Sequence, residues 1–181
     1  MQALAPGFLI AMPQVRDATF EKSVVLMVEH GPGGSMGLVI NRAADVTLAD
    51  LANDQDFSVP IQLADKPIFV GGPVEPYRGF GLHDSAQIGE KAEVMPGLFL
   101  SVTSDSLKPL LSNPLINVRF CLGYSKWGAG QIEAELATGT WLFTEASIDT
   151  VLRVDPEQIW EQTIKSMGVD PSMLVTPGGV N

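Results

Sequence analysis

The chain has 181 residues, 45% hydrophobic and 18% charged, with a mean hydropathy of +0.18 and a formal net charge of -10. That length can bury one substantial core, and so apolar a composition excludes a disordered, solvating chain. The 21 acidic residues outweigh 11 scattered basic ones, among them Arg16, Lys22, Arg153 and Lys165, so the surface repels phosphate backbones and non-specific nucleic-acid binding is excluded.

One cysteine, Cys121, rules out a disulfide framework within the chain. The first ten residues carry no basic segment, and no run approaches the roughly 20 apolar residues of a membrane span. The expectation is a soluble cytoplasmic protein with no membrane association.

In chain order, residues 8–12 read as an early strand or extended arm closed by Pro13. Residues 23–30 are β-branched and almost continuously apolar, as in a strand buried on both faces. Gly31-Pro32-Gly33-Gly34-Ser35 reads as a long hairpin tip, and residues 36–41 as the returning strand. Thr47 is placed to cap a short helix over 48–51, followed by a soft stretch at 53–58. Residues 67–70 and 78–83 read as strands, 84–93 as a polar loop, and 97–102 as another strand. Ser104 and Asp105 suit the start of a helix that stops near Asn113-Pro114. Residues 117–122 read as a strand running into a glycine-rich turn, and 131–137 as a short amphipathic helix with Gly139 beyond its end. Residues 140–143 and 150–154 read as strands. Asp155-Pro156-Glu157 opens a helix whose apolar face holds Ile159, Trp160, Thr163, Ile164 and Met167. The tail, 171–181, is rich in proline and glycine and is expected to fray.

Strands outnumber helices, and no repeating strand–helix–strand unit carries a glycine fingerprint. The fold class is therefore α+β: a single domain over 1–181 with a large bent mixed β-sheet and a few flanking helices.

Several segments share order and character with a known family: Phe8-Leu9-Ile10-Ala11-Met12-Pro13, the 23–30 strand, Gly37-Leu38-Val39-Ile40-Asn41-Arg42, Gly71-Gly72-Pro73-Val74, Arg78-Gly79-Phe80-Gly81-Leu82-His83, and Gly123-Tyr124-Ser125-Lys126-Trp127-Gly128 with the helix start after it. The chain resembles the AlgH (YqgE-like) family of bacterial proteins. The resemblance implies a single α+β domain on a bent mixed sheet. It implies no enzymatic activity, and it brings a transcriptional-regulator label. The acidic charge and the lack of a basic helix-turn-helix pair count against direct DNA binding. The chain departs from the family pattern at Ala43, where proline is usual after Arg42, and in its Gly178-Gly179-Val180-Asn181 ending, where many relatives have Gly-His-Ala.

Candidate chemistry is sparse. His30 and His83 lie at strand ends with Glu29 or Asp84 beside them, but at no spacing that suits a metal, and hydrogen-bonded strand ends explain them. Ser104-Asp105 has the residues of a nucleophile and its partner, yet capping accounts for both. The glycine clusters at 31–34 and 71–72 lack the lysine of a phosphate loop. Cys121 fits a buried small hydrophobe. No catalytic residue, cofactor or metal is therefore assigned.

The densest group is Tyr124, Trp127, Gln131 and Glu135, with Gln131 and Glu135 on one helix face. Joined by Asn41, Arg78 and His83, these seven side chains either line an aromatic, polar-rimmed cleft or plug the sheet and tie down a loop. The leading functional expectation is a non-enzymatic binding or regulatory module acting through a protein partner or weak homo-oligomer. The alternative is a small-ligand protein or hydrolase using that cleft.

Overall fold

The computed structural model describes residues 3–55 and 57–174. Its first strands are β1 (Gly7–Ala11), β2 (Val24–Gly31), β3 (Gly34–Val39) and β4 (Ala43–Thr47), followed by helices α1 (Leu48–Gln55) and α2 (Ile61–Ala64). Then come β5 (Pro67–Val70), β6 (Val74–His83), β7 (Ala92–Met95), β8 (Leu98–Ser101), α3 (Ser104–Ser112) and β9 (Val118–Gly128). The chain continues through α4 (Gln131–Ala137), β10 (Trp141–Thr144), α5 (Ile148–Leu152) and α6 (Pro156–Ser166) to a 3-10 turn at Pro171–Met173. Of the tail expected to fray, 175–181 lies outside the described residues.

Eight strands form an antiparallel path, β10-β1-β2-β3-β9-β6-β8-β7. The sheet is mixed because β5 runs parallel to β9, pairing Phe69 with Cys121, while β4 lies antiparallel beyond β5. The α+β class with its bent mixed sheet is thus the observed architecture.

The apolar run in β2 is explained by layers on both of its faces. Val24 and Leu26 face the cluster filled by Val151, Ile159 and Ile164 of α5 and α6, while Val25 and Met27 face Trp127, Ile132 and Trp141. A third layer, Leu48, Leu63, Ile68, Leu111 and Phe120, seats α1, α2 and α3 against the β5–β9 half. Each fully buried aliphatic side chain contributes about 1.5–3 kcal/mol of transfer free energy. Helix α6 begins as its sequence predicts, with Asp155 accepting from the Glu157 N–H at 3.0 Å and Pro156 at N1. The Trp160 indole fastens it to the Ala11 carbonyl at 2.8 Å.

Local readings change where tertiary contacts decide. The hairpin tip is tight, since Gly31 pairs with Gly34 across Pro32-Gly33. Residues 150–152 belong to α5, with Arg153 as its C-cap, rather than to a strand: Ser147 caps the helix start, accepting from the Thr150 N–H at 3.3 Å, and Val151 is buried. Thr103, one residue before the expected Ser104, caps α3 by accepting from the Ser106 N–H at 3.3 Å. The short elements β4, α2 and β7 arise in stretches too brief for periodicity to mark.

The largest correction concerns β9, which continues straight through the glycine-rich segment to Gly128. Its first half lies beside β5 and β6; its second half lies beside β3. At the changeover the 71–72 and 123–124 backbones touch. A Cβ on Gly123 would lie 2.4 Å from the Gly72 carbonyl oxygen, and one on Gly72 would lie 2.2 Å from the Tyr124 carbonyl. Gly123 also has φ +78°, a conformation that glycine alone adopts without penalty. These glycines are a crossing point in the sheet.

Candidate functional site

The residues expected to form one cleft occupy separate places. Trp127, Gln131 and Glu135 belong to a closed clamp under α4. Trp127 and Trp141 are 4% and 3% exposed, with ring centroids 6.1 Å apart at 82°, and Phe20 packs edge-on against Trp141 at 5.7 Å. Both indoles donate to Glu135 Oε1, at 3.3 Å from Trp127 and 2.8 Å from Trp141. Gln131 donates to Glu135 Oε2 at 2.9 Å and accepts from the Gly128 N–H at 2.9 Å. Every polar side-chain atom here already has a protein partner, so the group holds α4 on the sheet.

Asn41 is a backbone tie. It accepts from the Val24 N–H and donates to the Lys22 carbonyl, both at 2.9 Å. His83 is fully buried, with Nδ1 accepting from the Ser85 N–H at 3.2 Å. That bond puts the proton on Nε2, which donates to Ser101 Oγ at 2.9 Å, and the Ser101 hydroxyl in turn donates to the Glu90 carbonyl at 2.8 Å. A histidine in this tautomer cannot take the serine proton, and burial lowers its pKa from the ordinary 6.5.

A second serine–histidine pair escaped sequence reasoning. His30 Nδ1 lies 2.7 Å from Ser35 Oγ, and its Nε2 lies 3.9 Å from Glu133. The order Ser–His–Glu resembles a nucleophile triad, but the register places His30, Ser35 and Trp127 on the face that α4 covers. Ser35 is 6% exposed and the His30 side chain 4%, so the pair is largely packed away, at the margin of a cavity of about 480 Å³ that both residues help to line. The cross-strand pairing, which a single strand's sequence does not encode, was the missing signal. Cys121 is buried, and desolvation pushes its thiol up to about 12, leaving it protonated and inert.

Arg78 and Tyr124 are the expected residues that meet in an open site. A cleft of about 820 Å³ is lined by side chains from β2, β3, β9, β6, β8 and β7, consecutive strands of the path, and is therefore the concave face of the curl. Its floor includes Met36, Phe80, Leu100 and Tyr124, and its rim carries Glu29, Arg78, Lys91 and Glu93. Between Val74 and Gly79 the β6–β9 register shifts, and Glu75 takes φ +46° in the resulting bulge. A non-glycine residue in that region carries backbone strain. The bulge sets Glu75 Oε2 3.3 Å from Arg78 Nη1, while Arg78 lies over the Phe80 ring at 5.2 Å. Tyr124 meets Phe80 edge-on at 5.8 Å, and a hydrogen bond to Glu75 raises its pKa above the ordinary 10. A phenol held protonated by a carboxylate suits recognition better than proton abstraction.

The AlgH-like family model matches residues 8–172. A UPF0301 protein of Myxococcus xanthus is 54% identical over 181 residues, covering 100% of both chains. The chain belongs to the AlgH-like family. A UPF0301 protein of Cupriavidus pinatubonensis is 41% identical over 179 residues, covering 97% of this chain and 94% of its own. The solution structure of the AlgH protein from Pseudomonas aeruginosa superposes with a TM-score of 0.76 at 35% identity, covering 96% of each chain. A crystal structure from Corynebacterium diphtheriae, at 21% identity and TM-score 0.72, covers 97% of this chain and 93% of its own and shares the fold. The AlgH-like likeness thus spans both the strands that line the cleft and the α4 clamp. Among the described residues, no helix is long and apolar enough to cross a membrane, and no group of three or more His, Cys, Asp or Glu side chains is arranged to hold a metal.

Proposed function

We propose that this AlgH-like protein is a non-catalytic binding module that receives an extended segment of a partner protein in its concave cleft. The observation that carries this reading is the junction of the cleft with a sheet edge. Residues 89–94 line the cleft as a continuous run, and β7, which ends the strand path, pairs with β8 alone among the described residues. An edge strand presents unpaired backbone donors and acceptors that a peptide can complete. The inward side chains of such a peptide would face the cleft whose floor holds Leu100, Phe80 and Tyr124, while Arg78, Lys91, Glu29 and Glu93 offer charges of both signs at the rim. Val102, 41% exposed, extends the apolar floor to the mouth.

The test is selection of a displayed random-peptide library on the purified protein, followed by amide NMR titration with the enriched peptides. The reading expects sequences that alternate apolar and polar residues, shifts centred on 92–95, 100 and 124, and loss of binding in Tyr124→Ala and Leu100→Glu. Enriched peptides that shift resonances elsewhere, or bind both variants unchanged, would sink it.

A further inference from the structure

A second cavity, of about 400 Å³, lies away from the concave cleft, where the start of β9 meets β5, the end of α3 and the α5–α6 connection. Its walls are apolar and polar in about equal measure, with Leu111, Ile116, Phe120 and Leu152 on the apolar side and Arg119 and Lys66 on the polar. Arg119 is 5% exposed, and its guanidinium stacks 4.4 Å from the Phe69 ring centroid. Its Nη1 donates to the Ile40 carbonyl at 3.1 Å and its Nη2 to the Val154 carbonyl at 3.3 Å.

Two carbonyls engage a group that has five N–H donors and remains charged in proteins. Among the described residues, no carboxylate lies within 4.0 Å of it. A buried charge without a counter-ion is costly, and burial lowers the Arg119 pKa from the ordinary 12.5. Asp155 acts on Arg119 electrostatically, but its Oδ1 is turned to the Glu157 N–H as the α6 cap. The other polar groups in the walls are engaged: Arg153 with Asp84 and Asp149 at 3.6 and 3.4 Å, and Asn117 with Asp84 at 2.8 Å. Lys66 is exposed at the cavity and makes no ion pair among the described residues.

We propose that this cavity binds a small amphipathic carboxylate, its head on Arg119 and Lys66 and its apolar body against Leu111, Ile116, Phe120 and Leu152. A guanidinium matches a carboxylate with paired N–H donors. A single negative charge fits one buried cation and one rim cation, whereas a dianion would add repulsion from Asp155. The apolar side of the cavity gains nothing from a small hydrated anion and favours a ligand with an apolar body.

The test is amide NMR titration of the full chain with octanoate, and with octanamide and inorganic phosphate in parallel. Octanoate is expected to give saturable shifts at 111, 116 and 118–120, octanamide to bind at least about tenfold more weakly, and phosphate to leave these resonances in place. Lys66→Ala, a surface change that leaves the core intact, is expected to weaken octanoate about threefold to tenfold, and Arg119→Gln by more. The proposal is overturned by the absence of shifts up to about 10 mM octanoate, by equal binding of octanoate and octanamide, or by an affinity that Lys66→Ala leaves unchanged. Shifts confined to 94, 100 and 124 overturn it too, because they would put the ligand in the concave cleft.

Discussion

Replacing Glu135 with alanine removes the acceptor shared by two buried indoles. Trp141 Nε1 donates to Oε1 at 2.8 Å, a full-strength bond, and Trp127 Nε1 at 3.3 Å, a weaker one. A hydrogen bond to a charged acceptor contributes about 1.5–3 kcal/mol, and an orphaned buried donor costs about 1–3 kcal/mol. Alanine returns a few tenths of a kcal/mol through helix propensity. The expected loss is about 2–4 kcal/mol, or about 4–16 °C in melting temperature for a chain of this size. Glu135→Gln keeps a carbonyl oxygen for the indoles but turns an amide toward Gln131 Nε2, so it loses the third bond and about 1–2 kcal/mol. Urea unfolding followed by tryptophan emission reads both variants, with an unchanged slope showing that only stability has moved. An alanine variant that loses under about 1 kcal/mol, or a glutamine variant that loses as much as alanine, would refute the clamp.

At the strand crossing, Gly123→Ala forces φ +78° on a residue with a Cβ and drives that carbon to 2.4 Å from the Gly72 oxygen, so a loss above about 3 kcal/mol or failure to fold is expected. Gly33→Ala, which meets nothing within 4 Å, should stay within about 0.5 kcal/mol in the same melt. Cys121, its thiol pushed up to about 12, should resist iodoacetamide in the native protein near pH 8 and react only once unfolded, as read by mass spectrometry. His83 has a lowered folded-state pKa, so the unfolded chain binds more protons below pH 6.5. Its contribution is therefore fully present above that pH and is lost as pH falls through the folded value. The urea midpoint should fall more steeply with acid in the native sequence than in His83→Gln, and parallel pH profiles would show that the imidazole is not responsible.

Some of this molecule is legible in one dimension. Residues 24–27 announce a doubly covered strand because burial on both faces removes the polar alternation. Asp155-Pro156 announces α6 because capping uses groups one to three residues apart. The residues of the clamp were also visible as a group, since Gln131 and Glu135 are neighbours on any helix. Trp141, the second indole on Glu135, was not, because it arrives on β10 and owes its place to the pairing of β10 with β1.

The concave cleft was legible only in Arg78 and Tyr124. Its remaining walls come from strands far apart in sequence, and β7 is too short to leave a periodic trace. The sequence by itself determined which segments are apolar on one face or two, where α6 is capped, and the family to which the whole pattern belongs. Tertiary structure decided that the glycines at 71–72 and 123 form a crossing rather than turns, that Ser35 and His30 meet on the face that α4 covers, and that Arg119 is buried without a carboxylate. Local patterning depends on a residue's near neighbours along the chain. What a side chain faces across the sheet depends on register, and register is settled only when the layers pack.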